Sequence, residues 1–70
     1  MNPTCTITCN GEALTAEGTV ADLLRARLGD PPRSGIAVAV NGEVVPRATW
    51  PGVVLTDGDV VEVVTAVQGG

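Results

Sequence analysis

The sequence predicts an α+β fold of two layers: a small mixed sheet with one helix lying on one of its faces. Three observations lead there. Short valine-rich segments of alternating character recur along the chain, which is the pattern of half-buried strands. Two Asn-Gly dipeptides, Asn10-Gly11 and Asn41-Gly42, each separate a pair of such segments. Asn-Gly suits a two-residue hairpin because both turn residues need positive φ. Between the two hairpins lies one helical signature of about ten residues, too short to be stable alone. It must therefore rest on the sheet.

The elements follow in order. Thr4 to Cys9 alternates, with Cys5, Ile7 and Cys9 on one face and Thr4, Thr6 and Thr8 on the other. Glu12 to Thr15 returns as a second strand with Leu14 facing inward. Thr19 is a good N-cap, and Asp22 three residues on completes a capping box with Asp in place of Glu. Val20, Leu23, Leu24 and Leu28 recur at helical spacing and form one apolar stripe. Asp22 in the first turn and Arg25 and Arg27 near the end both favour the helix dipole. Gly29 suits the position after the helix, and Asp30-Pro31-Pro32 prevents continuation. Ile36 to Val40 is the third strand, with Ile36, Val38 and Val40 on one face. Glu43 to Val45 is the fourth; Pro46 lacks an amide hydrogen and puts this strand at an edge. Ala48-Thr49-Trp50 reads as one helical turn stopped by Pro51-Gly52, and Val53 to Leu55 as a short extended piece. Asp57-Gly58-Asp59 is a turn. Val60 to Ala66 is the last strand; Glu62 argues that the Val61/Val63 side faces the core. A small mixed sheet crossed by a single helix is the β-grasp, or ubiquitin-like, arrangement.

The composition excludes several functions. The chain has 70 residues, 44% hydrophobic and 17% charged, so it holds one domain and is too apolar to be disordered. A domain this small disfavours a deep catalytic pocket, and a protein that is not an enzyme is expected. Four arginines, no lysine and eight acidic residues give a net charge of −4. No basic face for nucleic acid or an anionic membrane can be built from them. The longest apolar run, Ile36 to Val40, is five residues, against the roughly 20 that a membrane span needs. No signal-peptide pattern follows Met1, so the cytoplasm is the expected compartment. Cys5 and Cys9 lie about 13 Å apart on one extended strand, too far for a disulfide. Without histidine they are too few ligands for structural zinc. They read as small buried apolar residues.

Little catalytic machinery is available. The absence of His removes the commonest general base. No phosphate-binding loop and no Gly-x-Ser-x-Gly element is present. The tail is the feature that carries chemistry. Val67-Gln68-Gly69-Gly70 follows directly on the last strand. Two glycines without Cβ atoms can enter a narrow channel and adopt any backbone angles. Such a thread presents an α-carboxylate to a partner's active site. The division expected is a β-grasp domain over 1–66 and a flexible C-terminal tail over 67–70.

The residues resemble the ThiS/MoaD group of sulfur-carrier proteins, and within it ThiS, the sulfur carrier of thiamine (thiazole) biosynthesis. The likeness rests on Val40-Asn41-Gly42-Glu43-Val44-Val45-Pro46-Arg47, then Trp50, then Asp57-Gly58-Asp59, then Ala66-Val67-Gln68-Gly69-Gly70. The Thr19-Val20-x-x-Leu23-Leu24 helix start is also family-like, and the likeness runs from Ile7 onward. The Pro-Arg-x-x-Trp element points to ThiS more than to molybdopterin carriers. Cys5 and Cys9 stand where the family carries larger apolar side chains.

The resemblance implies that Gly70 carries the activated carboxylate, first as acyl-adenylate and then as thiocarboxylate. Gly69, Gln68 and Val67 would thread into a ThiF-like adenylyltransferase and then into a thiazole synthase. The chain would bind no cofactor; ATP and magnesium would be used on the activating partner, and sulfur would come through a persulfide donor. The docking surface would be the exposed sheet face beside the tail, with Arg47, Val60, Glu62 and Val64 as candidates. The protein would be a monomer in transient complexes. Other readings stay open on the sequence. One is the same chemistry for molybdopterin, cysteine, tRNA thiolation or a secondary metabolite. Another is a ubiquitin-like modifier that joins Gly70 to lysines. The last is a β-grasp interaction module with an inert tail.

Overall fold

The computed structural model describes residues 4–29 and 35–65. Their elements run β1 (Thr4–Cys9), β2 (Glu12–Glu17), α1 (Val20–Leu28), β3 (Ile36–Val40), β4 (Glu43–Val45), a 3-10 helix (Arg47–Gly52) and β5 (Val60–Thr65). The five strands form one sheet in the order β2-β1-β5-β3-β4. β1 and β2 pair antiparallel, as do β3 and β4, while β5 runs parallel to β1 and antiparallel to β3. This is the β-grasp arrangement. Both hairpins turn where the sequence predicts: Asn10 and Gly11 have φ of 50° and 83°, and Asn41 and Gly42 have 53° and 84°. β4 is an edge strand and Pro46 follows it directly.

The helix begins at the predicted capping box. The Thr19 hydroxyl accepts from the Asp22 amide at 3.3 Å, and Asp22 Oδ2 accepts from the Thr19 amide at 2.9 Å. Gly18, at φ +83°, makes room for this; a Cβ there would run into the Asp22 carboxylate. Helix and sheet enclose an aliphatic core. Ile7, Val20, Leu24, Val38 and Val61 are buried almost completely, joined by Leu23, Trp50 and Leu55. Each such side chain contributes about 1.5–3 kcal/mol relative to an exposed one.

Some expectations need correction. β2 runs to Glu17 and not Thr15, because Thr4 and Cys5 at the start of β1 pair with Glu17 and Ala16. Leu28 is 36% exposed and does not complete the apolar stripe. It closes the last helical turn and lines an open cleft with Cys9, Leu24, Val63 and Thr65. Pro51 and Gly52 lie inside the 3-10 helix and do not stop it. The Pro51 amide has no hydrogen to give, and so short a helix needs none from it. The extended piece at Val53 to Leu55 makes a single bridge, Val54 to Thr19. Leu55 donates to the Gly18 carbonyl and points its side chain into the core. β5 is described to Thr65; Ala66 lies outside the described residues.

The acidic turn is structural. Asp57 Oδ1 accepts from the Thr6 amide at 2.7 Å. Asp59 Oδ2 accepts from the Thr56 amide at 2.9 Å, and its Oδ1 from the Thr56 hydroxyl and from Asn41 Nδ2. The Asp59 and Thr6 carbonyls in turn accept from Thr8 and Gly58. The turn thus ties the start of β5 to β1.

Replacing Leu24 by Ala is expected to lower stability by about 2–5 kcal/mol through the cavity it leaves, as read by urea denaturation. An unchanged midpoint would mean that the helix packs by another face.

Acid should also weaken the fold. Asp22 is held below the usual carboxylate range chiefly by the Thr19 amide, and Asp59 chiefly by the Thr56 amide. A lowered folded-state pKa means that the unfolded chain binds protons first as pH falls. This stabilisation is present above an ordinary aspartate pKa of about 3.9 and lost as pH drops through the folded values. The urea midpoint is expected to fall below about pH 4. Asp59→Asn is expected to lower it at neutral pH and flatten the acid limb.

Candidate functional site

Alternation along the strands gives the sheet two unlike faces. One holds the core. The other is open and carries Val60, Glu62 and Val64 from β5, Ala37 and Ala39 from β3, and Val44 from β4. Glu62 stands opposite Ala39, and Ala39 opposite Val44, so the three form a row across the sheet. Ala37 and Val64 form the next. The two alanines are short, so the surface dips between Val44 on one side and Glu62 and Val64 on the other. The depression holds about 200 Å³. Val44 is 74% exposed and Val64 62%. Together they make an exposed apolar patch on this face. Glu62 is the one charged side chain on the open face of β3, β4 and β5 among the described residues.

Three of the four docking candidates, Val60, Glu62 and Val64, therefore share one face of one strand. Arg47 is held elsewhere. It opens the 3-10 helix after β4, and its guanidinium lies 5.2 Å from the centre of the Trp50 ring. Trp50 is buried and donates from Nε1 to the Val45 carbonyl at 2.9 Å. Thr49 donates to the Pro46 carbonyl from both its amide and its hydroxyl. The Pro-Arg-x-x-Trp element is thus a closed corner: it turns the chain out of β4 and seats a ring in the core, with Arg47 stacked on that ring. Val67, Gln68, Gly69 and Gly70 lie outside the described residues. They continue from Thr65, the last described residue of β5.

Ala37, Ala39 and Val44 belong to the same face and were not among the candidates. Their alternation was visible, but which strands flank β5 depends on sheet order. Asn10 and Asn41 were read only as turn residues, yet their side chains bind the β5 backbone. Asn10 accepts from the Val63 amide at 2.8 Å and donates to its carbonyl at 3.1 Å. Asn41 accepts from the Val60 amide at 2.9 Å. The choice of Asn over Asp or Gly at the first turn position was the available signal.

Other chemistry finds no support among the described residues. Asp57 and Asp59 use their oxygens to accept structural hydrogen bonds, from the Thr6 and Thr56 amides, the Thr56 hydroxyl and the Asn41 side chain. No group of three or more Cys, Asp or Glu side chains could hold a metal ion. Cys5 and Cys9 are both free, as their spacing predicts. Burial, followed by the charges of Asp57 and Asp59, pushes the Cys5 thiol up, so it stays protonated at neutral pH. Among the described residues no helix is long and apolar enough to cross a membrane.

The model of the ThiS family matches residues 5–70. Among solved structures, the chain is similar to the thiamine biosynthesis protein ThiS from Geobacter metallireducens. The identity is 29% and the TM-score 0.72, over 93% of this chain and 99% of that one. No curated protein matches the chain. The family match takes in both hairpins, the helix, the closed Arg47–Trp50 corner and the Gly-Gly motif, and the chain belongs to the ThiS family.

Proposed function

We propose that this chain is the sulfur carrier for thiazole formation in thiamine biosynthesis, and that its C-terminal carboxylate is the working group. One observation carries the reading: the ThiS match spans residues 5–70, from β1 through the Gly-Gly motif. The open face of β5 adds support, because it lies on the strand that leads into the tail.

In this reading the open face docks on a ThiF-like adenylyltransferase, and Val67-Gln68 carries Gly69-Gly70 into its channel. A Gly70 carboxylate oxygen attacks the α-phosphorus of ATP held with magnesium by the partner, and pyrophosphate leaves. The acyl-adenylate makes the carbonyl carbon a good electrophile. The terminal sulfur of a persulfide donor attacks that carbon and AMP leaves, giving an acyl disulfide; a second thiol then attacks the donor-side sulfur, forms a disulfide with it and releases the thiocarboxylate. The same tail then enters a thiazole synthase and gives up its sulfur. The carrier is consumed and regenerated and catalyses none of these steps. Val60, Val64 and the alanine-floored depression supply apolar contact, while Glu62 favours a basic residue on the partner.

The test is intact mass spectrometry after incubation with ATP, a persulfide donor and a ThiF-like enzyme. The expected product has one oxygen replaced by sulfur, mapped to the last peptide, and supports thiazole formation when a thiazole synthase is added. Removing Gly70 is expected to abolish loading and leave the melting curve unchanged. Loading with no thiazole product would move the carrier to another sulfur pathway. Adducts on target lysines would make it a modifier. Glu62→Arg is expected to lower kcat/KM for adenylation by about tenfold, with the fold intact.

A further inference from the structure

β5 outlasts its neighbour. β1 pairs with β5 only at Thr8–Val60 and Cys9–Val61, and then turns away at Asn10-Gly11, while β5 continues to Thr65. On that side the main-chain bonds end with the Asn10 amide donating to the Val61 carbonyl at 2.9 Å. The next pair of groups facing the same way belongs to Val63, because every second residue of a strand points to the same neighbour. Both are taken by one side chain. Asn10 Oδ1 accepts from the Val63 amide at 2.8 Å and Nδ2 donates to the Val63 carbonyl at 3.1 Å. The carboxamide stands in for the peptide of a strand that is no longer there. Among the described residues it is the last tie on that side of β5. On the opposite side β3 holds β5 to its end, with Ile36 opposite Thr65.

We propose that Asn10 is a positioning residue for tail activation: by gripping Val63 it fixes the C-terminal half of β5, the strand that precedes the tail in the chain, relative to the docking face. The proposal rests on the sulfur-carrier reading of Gly70. Docking sets where the domain lies on its partner, and the reacting carboxylate must then arrive within about an ångström of its target. Without Asn10, the C-terminal half of β5 is tethered by β3 alone. Val63 to Thr65 can then take a wider range of orientations, and a smaller fraction of docked molecules is poised for adenylation. Apparent efficiency falls with that fraction.

The structure also supplies the control. Asn41 grips β5 in the same manner at its other end, through the Val60 amide, and also donates to Asp59 at 3.1 Å. Both asparagines have positive φ, so glycine removes either side chain without straining the turn. Asn10→Gly and Asn41→Gly are compared at a temperature well below both melting midpoints. Asn10→Gly is expected to lower kcat/KM for adenylation about five- to tenfold, and Asn41→Gly, which loosens the start of β5 and not its end, to lower it clearly less. Two further readouts separate positioning from loss of fold. Amide exchange is expected to quicken at Val63, and not at Val61, in Asn10→Gly. With Gly70 deleted, chains with and without Asn10→Gly are expected to bind the adenylyltransferase equally tightly.

Equal adenylation of Asn10→Gly and the unsubstituted chain, or equal losses in the two glycine variants, overturns the proposal. Should Asn10→Gly fail to fold, Asn10→Asp keeps the turn and the acceptor and loses the donor to Val63; adenylation at the full rate by that variant also overturns it. Failure of the unsubstituted chain to be adenylated overturns the sulfur-carrier reading instead.

Discussion

The fold depends on one strand being hydrogen-bonded on both sides in opposite senses. β5 lies parallel to β1 and antiparallel to β3, and its Val61 side chain is fully buried at the centre of the core. The β1–β2 and β3–β4 hairpins share no ladder with each other; β5 joins them. The Asp57–Asp59 turn brings β5 in alongside β1, and the two asparagines pin it at Val60 and Val63. Helix packing follows from this. Val20, Leu23 and Leu24 cover the one face on which Ile7, Val38 and Val61 come together. The opposite face has no second layer and stays open.

The edges of so small a sheet are a liability, since an unpaired strand invites another chain. β4 limits the exposure by having only three residues before Pro46, and β2 carries acids at both ends, Glu12 and Glu17. The open face is guarded more lightly. Its valines are separated by short alanines, and Glu62 sits among them, so two copies meeting face to face would bring like charges into an apolar patch. The same charge that discourages self-association favours a basic partner.

Local chemistry was legible in the sequence, and long-range pairing was not. Thr19 and Asp22 announce the helix because both halves of the capping box lie within four residues. Asn-Gly announces the hairpins for the same reason, and alternation assigns Ile7, Val38 and Val61 to the core. The extension of β2 depends on Thr4 finding Glu17, and the exposure of Leu28 on where the sheet ends beneath the helix; neither is written locally. Val60, Glu62 and Val64 could be placed on one face from alternation alone. That Ala37, Ala39 and Val44 complete that face required the order of strands. The stacking of Arg47 on Trp50, three residues on, also depended on how the chain turns out of β4. The Gly-Gly motif needed no fold to be noticed, and its identification rests on motif and family.

The position of β5 in chain order bears on biosynthesis. A growing chain can form the first hairpin, the helix and the second hairpin as they emerge, but the strand that unites them is the last element to be made. A nascent chain stopped before Val60 is therefore not a slightly smaller carrier. It is two hairpins and a helix with apolar faces uncovered, open to proteases. Folding then acts as a check on completeness. A molecule that has folded has been translated through Thr65, so the cell's pool of compact domains holds few that were cut short within β5 or before it.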